Sequence, residues 1–426
     1  MDLDQASRGE LGAQLELLQK EYDRLKNSGL NLDLTRGKPS SAQVALANAM
    51  DGCLEGKFIS AEGVDVRNYG GISGLLEARQ LFGSILGAPA EQTMMGGNGS
   101  LTLMYHTVQF ALQEGLNGVE SAWINNGPVK FLCPSPGYDR HFAICEHLGI
   151  ELLTVPLLDS GPDMDVIEEL VQQDTSIKGL WCVPRFSNPT GCVYSDEAVR
   201  RIAKLGRFAS TGFVVMWDNA YAVHALYDTA APLASIHSYS EQYGTSDSIF
   251  QFGSTSKMTF AGSGVCFMSS SKANLSALKR HLEFQTIGPD KVNQLRHVKF
   301  LKNEENIRSH MAKHAEIIIP RFDCVLNILE AELAGMAEWT KPEGGYFISF
   351  DSRPGLAKRI VALADDIGVK VTPAGATYPY GNDPKDSNIR LAPTYPSLED
   401  VRSAMEAFVV CVKLASVDQV LSASSA

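Results

Sequence analysis

Asp218 and Lys257 stand just after apolar segments, where side chains are free to do chemistry. Asp218 directly follows FVVMW, and Lys257 lies in GSTSKMTFAGSG (253–264) among Ser, Thr and Gly. Because few acidic neighbours hold the lysine proton, burial would lower the pKa of the amine and free it as a nucleophile. The Asp218 carboxylate could ligate a metal, act as an acid or base, or pair with a buried cation, and Tyr221 could reach the same point. An exposed loop lysine and a helix N-cap aspartate are the simpler alternatives.

Three other polar clusters could bind charged groups. The turn GGNGS (96–100) precedes a helical segment, so its free backbone N–H groups and a hydroxyl could bind an anion. Asn188 ends another apolar segment in NPTG, and Arg390 lies within the apolar segment NIRLAP, where a guanidinium needs an anion. A glycine-rich turn, a simple turn and a structural ion pair are the respective alternatives. Taken together, the clusters suit a carboxylate substrate and an anionic cofactor with a cationic ring, such as pyridoxal phosphate.

These residues must be positioned by the elements between 129 and 268, where short apolar segments alternate with helix-like ones. The apolar segments are VKFLCP, ELLTVP, IKGLWCVP, FVVMW, SIFQF and GVCFMS. Segments that are apolar at consecutive positions, separated by helices such as the one that Ser195 begins, predict a mostly parallel sheet covered on both faces. Ligands of such sheets bind at the carboxyl ends of the strands, which is where the polar clusters lie.

The flanking parts of the chain have other patterns. Apolar residues at steps of three and four predict a helix over 6–27, and helices are also predicted over 73–87 and 100–114. Residues 290–334 are typical of a long helix interrupted near Pro320. The strands and helices that follow predict a smaller α+β unit.

Composition excludes several classes of protein. The chain has 426 residues, 44% of them apolar, with 49 acidic and 37 basic side chains and a formal charge of −12. This acidic balance disfavours broad binding to nucleic acid or anionic membranes. Eight Cys without a C-x-x-C pair indicate neither a disulfide scaffold nor a zinc ribbon. With no apolar segment of membrane-spanning length and no signal-like N-terminus, the expectation is a soluble cytoplasmic protein.

Seven motifs, in order along most of the chain, give the sequence a family resemblance. They are NYGGISGLLEAR, GGNGS, NPTG, D-x-A-Y (218–221), S-x-S-K (254–257), EGGYF and NIRLAP. The chain resembles the fold-type I pyridoxal-phosphate enzymes, specifically class I aminotransferases, and is most similar to a bacterial aspartate aminotransferase subgroup. The resemblance implies a large cofactor-binding domain (47–310) with a mostly parallel seven-stranded sheet sandwiched by helices. It also implies a smaller α+β domain built from 1–46 and 311–426.

The resemblance implies roles around the ring of a pyridoxal 5′-phosphate cofactor. Lys257 would bond covalently to the cofactor aldehyde and, once displaced, shuttle a proton. Asp218 would keep the ring nitrogen protonated, and Asn188 and Tyr221 would hydrogen-bond the phenolate oxygen. Tyr138 would stack on the ring.

The resemblance also implies contacts to the phosphate and the substrate. The phosphate contacts would come from the helix start and one serine: Gly99, Ser100, Leu101 and Ser254. Tyr69 would reach the phosphate in the neighbouring subunit, which implies a homodimer with shared sites. Arg390 would pair with the substrate α-carboxylate, helped by the Gly37 backbone and Asn188.

One departure from the family concerns the phosphate. Family members carry an arginine a few residues after the lysine, whereas Met258–Ser271 contains neither Arg nor Lys. The helix start, hydroxyl groups or a cation elsewhere, such as Arg185, must then meet the phosphate charge.

The expected activity is ping-pong transfer of an amino group from aspartate or glutamate to a 2-oxo acid such as 2-oxoglutarate. Four cations could read the distal carboxylate of such substrates: Arg36, Lys38, Arg140 and Arg185. The alternative is an aromatic or 2-aminoadipate/kynurenine-type aminotransferase, and a distant one is a non-catalytic effector-binding protein of the same fold. A metallohydrolase is disfavoured because His310 and His314 lack a third ligand, so a solvated helix face is expected for them. A nicotinamide dehydrogenase lacks its glycine fingerprint here.

Overall fold

The computed structural model describes residue 3 and residues 5–423 of the chain. The α-helices of this part are α1 (Arg8–Lys26), α2 (Ser41–Ala45), α3 (Leu76–Leu86), α4 (Ser100–Gln113), α5 (Asp139–His147), α6 (Met164–Gln173), α7 (Asp196–Lys204), α8 (Ile236–Tyr243), α9 (Lys272–Leu282), α10 (Lys291–Leu301), α11 (Glu304–Leu333), α12 (Ala357–Asp366) and α13 (Leu398–Ala423). The strands are β1 (Leu32–Asp33), β2 (Thr93–Met95), β3 (Lys130–Ser135), β4 (Glu151–Leu158), β5 (Gly161–Pro162), β6 (Ile177–Cys182), β7 (Val214–Asp218), β8 (Ile249–Ser254), β9 (Cys266–Ser269), β10 (Glu338–Trp339), β11 (Ile348–Asp351), β12 (Val369–Lys370) and β13 (Asn388–Leu391).

The large sheet has eight strands in the described part of the chain, in the order β2-β9-β8-β7-β6-β3-β4-β5. Strands β8, β7, β6, β3 and β4 are parallel neighbours. Strand β9 lies antiparallel between β8 and β2, and the two-residue β5 pairs antiparallel with β4 at the far edge. The prediction of a mostly parallel sheet sandwiched by helices is confirmed, and β5 is one strand more than the seven predicted.

The central strands are buried on both faces, as their continuous apolar sequences predict. Every residue of β6 and β7 is buried. Along β7, Met216 packs in one hydrophobic core while its neighbours Val215 and Trp217 pack in a second one. This alternation places the strand axis between two apolar layers, so a polar residue reaches a ligand only where the strand ends.

The N-terminal segment joins the C-terminal part of the chain. β1 pairs parallel with β12, and β10, β11 and β13 form a separate antiparallel sheet. Tyr22 and Leu34 share one hydrophobic core with Phe350 and Phe408, which matches the predicted smaller α+β unit. The division into 47–310 and the two flanking segments stays a prediction, and α11 runs continuously past residue 310.

The ends of the predicted helices follow from local chemistry. Ser195 caps α7 by accepting a hydrogen bond from the Ala198 N–H. Gly87 ends α3 at φ 67°, a left-handed conformation that glycine adopts at little cost.

The predicted break near Pro320 is wrong. The helical segment breaks at Lys302, which has φ 60°, and Asn303 then caps α11 through the Asn306 N–H. α11 continues through Pro320, beside which Arg321 Nη1 donates to the carbonyl of Ile317. A break is therefore set here by the cap at 303 and not by the missing proline N–H. In the part of the chain that the structure describes, no helix is long and apolar enough to span a membrane.

Candidate active site

A cavity of about 760 Å³ opens at the carboxyl ends of the parallel strands. Ligands of open α/β sheets bind at this edge. The residues that line it are Arg36, Gly37, Lys38, Ser100, Leu101, Met104, Tyr138, Asp139, Arg140, Val183, Asn188, Asp218, Ala220, Tyr221, Ser254, Lys257, Phe347 and Arg390. The fold thus gathers most of the predicted site residues in one place, although they are far apart in the sequence.

Lys257 lies in the loop after β8 and faces the cavity. Its Nζ is 4.9 Å from the ring centroid of Tyr221. Burial lowers the pKa of the amine, and the nearby Asp218 carboxylate partly opposes that effect. Among the described residues, none forms a hydrogen bond or an ion pair with this amine, so an exposed loop lysine does not describe it.

Asp218 is the last residue of β7 and is 2% exposed. His141 Nε2 donates to its Oδ2 at 3.0 Å, and the His141 ring stacks on Trp181 with centroids 4.2 Å apart. The other carboxylate oxygen, Oδ1, is buried without a hydrogen-bond partner in the described chain. A buried carboxylate oxygen without a donor is costly, so Oδ1 is available to a donor supplied from the cavity. His141 directly follows the segment PSPGYDR (134–140), which contains Tyr138 and Arg140, but the sequence did not point to His141 itself.

Two tyrosines border the same space. Burial, more than the charge of Asp218, raises the pKa of Tyr138 to about 12. Burial also raises the pKa of Tyr221 well above its usual range. Both phenols therefore stay protonated near neutral pH and can donate hydrogen bonds. The Tyr138 ring meets His141 edge-on at a centroid distance of 4.9 Å, and stacking of Tyr138 on a cofactor stays a prediction.

The glycine turn presents the start of α4 to the cavity. No side chain caps this helix at Gly99. The Thr102 N–H donates to the Gly99 carbonyl at 3.3 Å, whereas in the described chain the N–H groups of Ser100 and Leu101 are free for an anion. Ser100 and Leu101 line the cavity, as does Ser254 at the end of β8. Ser256 Oγ donates to the carbonyl of Asn98 at 3.2 Å, which ties the lysine loop to the turn.

Arg390 in β13 is held in a buried polar network. Its Nη1 donates to Asp139 Oδ1 at 2.9 Å and to Asn188 Oδ1 at 3.2 Å, and its Nε donates to Thr372 Oγ1 at 3.2 Å. A structural ion pair is therefore part of its environment. Within the described chain, no hydrogen bond uses its Nη2, and the guanidinium lines the cavity.

Gly37 lines the cavity beside Phe347, whose ring also lies under the Arg390 guanidinium, and no larger residue fits at this position. A Cβ on Gly37 would lie 2.0 Å from Cζ of Phe347. The backbone of 36–38 can therefore approach the cavity closely, which is the position that the resemblance implies for a backbone contact to the substrate.

Three of the four candidate cations line the cavity, and Arg185 does not. Arg185 donates from Nη1 to the carbonyl of Ala222, and burial lowers the pKa of its guanidinium. Arg36 lies 3.7 Å from Asp33, and Lys38 Nζ lies 3.8 Å from the ring centroid of Tyr395. Arg140 lines the cavity as well. Arg185 thus loses its support as the phosphate cation.

Tyr69 lies outside this cavity and is 81% exposed. The segment that contains Tyr69 is fixed by Lys291, whose Nζ donates to the carbonyl of the next residue, Gly70. The position leaves the phenol free to contact another subunit, as the resemblance implies.

The solvated helix face expected for His310 and His314 is wrong. Both side chains are buried on α11, at 8% and 1% exposure, and both point at the carbonyl of Met258. The error arose because their partner lies in the distant lysine loop, which helix periodicity does not reveal. In the described residues, no cluster of three potential metal ligands is found.

The described features are typical of one class of protein, the fold-type I aminotransferases. They are the mixed sheet, the aspartate at a strand end and the loop lysine in a cationic cavity. The sequence profile of the aspartate amino-transferase family matches residues 6–423, and the chain belongs to this family. An aspartate aminotransferase from Corynebacterium glutamicum is 43% identical over 408 residues, 95% of this chain and 94% of that one. A relative from Mycolicibacterium smegmatis is 46% identical over 426 residues, 99% of either chain. The crystal structure of an aspartate transaminase from Corynebacterium glutamicum superposes with a TM-score of 0.94 and covers 99% of each chain at 42% identity.

Proposed function

We propose that this aminotransferase uses pyridoxal 5′-phosphate and moves an amino group between aspartate or glutamate and a 2-oxo acid such as 2-oxoglutarate, in a ping-pong reaction. One observation carries the proposal. The cavity holds a lysine whose pKa is lowered by burial, beside an aspartate with one buried oxygen that lacks a partner. A nucleophilic amine and a carboxylate with one oxygen left unpaired, together in one cavity, are what this cofactor requires.

The residues present fit the cofactor. The free Oδ1 of Asp218 would accept a hydrogen bond from a protonated ring nitrogen, while Oδ2 stays fixed by His141. Tyr221 and Asn188 would hold the phenolate side. The start of α4, with Ser254, would hold the phosphate. When bound, the cofactor supplies an electron sink for the charge that develops at the substrate Cα.

The chain's own residues would then do the rest. Burial lowers the pKa of the Lys257 amine and so favours its neutral form. The neutral amine accepts the proton from the substrate Cα and returns it. Arg390 binds the substrate α-carboxylate, and Asn188 and Asp139 fix the orientation of its guanidinium. The tyrosine phenols stay protonated over the working range and orient what they contact without exchanging charge.

An acidic substrate is favoured by the cavity's charge. Arg36, Lys38 and Arg140 line it in addition to Arg390 and Lys257, so a second carboxylate would find a cation. The Corynebacterium relative carries the name aspartate aminotransferase, which supports the same choice.

A panel of amino donors tests this specificity. With 2-oxoglutarate as acceptor, kcat/KM for aspartate is expected to exceed that for phenylalanine and kynurenine by roughly 100-fold, since these two donors lack a distal carboxylate for the cations that line the cavity. 2-Aminoadipate keeps a distal carboxylate on a longer side chain, so its rate tests the dependence on chain length. Glutamate with oxaloacetate serves as the matched reverse reaction. A preference for phenylalanine or kynurenine would instead support the alternative activity.

We also propose that the protein is a homodimer with shared sites. Several large apolar side chains are exposed in addition to Tyr69: Ile59, Phe284 and Ile287. The residue after Ile287, Gly288, lies against Gly70, the residue after Tyr69. Apolar groups of this size are expected to be covered in an assembly.

Mixed dimers test the shared site. The homodimer of the Lys257→Ala variant and the homodimer of the Tyr69→Ala variant are each expected to have low transaminase activity. When they are mixed, one site of each heterodimer combines an intact Lys257 with an intact Tyr69, so activity should return. The control is a mixture of Lys257→Ala with Tyr380→Ala, since the exposed Tyr380 hydroxyl lies outside the cavity and accepts from the Leu152 N–H. If Lys257→Ala restores nothing to Tyr69→Ala, the two residues serve the same subunit's site.

A further inference from the structure

A chain of buried hydrogen bonds begins at the start of α2. Gln43 is fully buried at 0% exposure, and its Oε1 accepts from the N–H and the hydroxyl of Ser40 at 3.0 and 3.2 Å. An N–H can only donate, so it fixes the orientation of the Gln43 amide. Nε2 must therefore point away from Ser40, toward the interior.

The Gln43 amide group donates to two further side chains. Nε2 lies 2.9 Å from the Tyr346 hydroxyl and 3.3 Å from His314 Nδ1. Because His314 Nδ1 accepts, the ring proton lies on Nε2. Burial lowers the pKa of His314 to about 4, so the ring is neutral at pH 7 and this tautomer is maintained.

Both branches end on the backbone of the catalytic lysine loop. The Tyr346 hydroxyl donates to the carbonyl of Lys257 at 3.2 Å, and His314 Nε2 donates to the carbonyl of Met258 at 3.0 Å. His224 and His310 supply a second donor to each carbonyl, at 3.3 and 2.7 Å. Two consecutive carbonyls thus receive four side-chain donors, two for each oxygen, which fills both lone pairs of each and fixes the loop backbone from two sides.

The other end of the chain of hydrogen bonds lies next to the cavity. Ser40 is two residues from Lys38 and three from Gly37, both of which line it. The Lys38 carbonyl is itself held by Thr394 Oγ1 at 3.2 Å. The same short segment therefore forms a wall of the cavity and fixes the backbone that carries Lys257.

We propose that Gln43 is a positioning residue, which locks the backbone of Lys257 to the cavity wall at 36–38 through Tyr346 and His314. The inference rests on the proposed function, because it concerns an amine that must leave and return to the same point in every cycle. A displacement of 1 Å in a catalytic group can cost about 100-fold in rate. Gln43 does not line the cavity, so its effect should fall on turnover and not on substrate binding.

Two variants of the holoenzyme test the proposal. Gln43→Met removes both donated hydrogen bonds at nearly constant length, and Tyr346→Phe removes a single oxygen. Each is expected to lower kcat by roughly 10-fold to 100-fold while KM for aspartate changes less than about threefold. The double variant should lose less than the product of the two losses, because both act on the same loop.

A spectroscopic readout separates positioning from general destabilisation. The visible absorbance of the holoenzyme, titrated from pH 5 to 9, reports the environment of the Lys257 linkage, and its midpoint should shift in both variants. The control is Asn274→Leu, which deletes a buried amide that donates to the Asp247 carbonyl and to Ser270 Oγ, away from the cavity. It should lower the melting temperature but leave kcat and the midpoint unchanged.

Three results decide the outcome. The proposal is overturned if Gln43→Met and Tyr346→Phe both have the kcat of the wild type and the same midpoint in the absorbance titration. It is also overturned if Asn274→Leu loses as much kcat as these two variants. If Gln43→Met does not fold, Tyr346→Phe carries the test, since one hydroxyl is lost without a change of shape. A wild-type protein without transaminase activity would refute the proposed function itself.

Discussion

Replacement of Lys257 by alanine is expected to abolish transamination, with a fall in kcat of roughly 10⁵-fold or more, since nucleophile and proton carrier are lost together. The fold should persist, because the lysine amine forms no hydrogen bond or ion pair in the described structure and truncation opens space toward an existing cavity. Turnover of aspartate and 2-oxoglutarate by a coupled assay measures the loss. The proposed phosphate contacts at the start of α4 would remain, so cofactor binding without a covalent link should still be seen by equilibrium dialysis.

Lys178 provides a matched control for this experiment. It is also a buried lysine whose pKa is lowered by burial, and it donates to Ser210 Oγ and the Thr211 carbonyl at the opposite end of the strands. Lys178→Ala should destabilise the protein. Its kcat, measured at a temperature below the melting temperature of the variant, should equal that of the wild type. Borohydride reduction of the wild type followed by peptide mapping should place the label on Lys257. A label on Lys178, or near-normal turnover by Lys257→Ala, would contradict the assignment.

Asp218→Asn is expected to have the second largest effect, a loss of kcat of about 100-fold to 1,000-fold, comparable to removing a charged group that stabilises a transition state. The amide is isosteric, so the contact with His141 and the packing on Trp181 can persist. What disappears is the negative charge beside Oδ1. That charge also raises the pKa of Lys257 against the effect of burial, so the pKa of the lysine amine should fall further in the variant.

Two measurements check the role of Asp218. Stopped-flow rates of the half-reaction with aspartate give the chemical step, and chemical modification of the protein without cofactor, followed against pH, gives the pKa of Lys257. Asp218→Glu keeps the charge and is expected to retain more activity than Asp218→Asn. If the two variants are equally active, the carboxylate acts through shape and not through charge.

The strand-end residues could be predicted because their signals are local. An apolar strand buried on both faces can place a polar group only at its end, so FVVMW followed by Asp218 indicated a site from five neighbouring residues. The loop lysine and the glycine turn were recognisable in the same way. Their convergence on one cavity follows from parallel strands that end at one edge.

Contacts that depend on distant residues could not be predicted. His141 meets Asp218 across 77 positions of sequence, and Gln43 meets Tyr346 across 303. His310 and His314 have the spacing of an exposed face or a metal pair, and only the packed structure shows that they donate to Met258. The suggestion that Arg185 supplies a cation to the cavity is not supported, for a related reason. Arg185 does follow a strand end, but its side chain donates to the Ala222 carbonyl.

The unpartnered oxygen of Asp218 has a consequence for the life of the protein in a cell. A buried oxygen without a donor costs about 1–3 kcal/mol, and a ligand that binds the folded state alone stabilises it further by mass action. If the protein binds pyridoxal 5′-phosphate as proposed, the chain without this vitamin-derived group is expected to unfold more readily and to be degraded sooner. When vitamin B6 is scarce, we expect the steady-state amount of the chain to fall along with its activity.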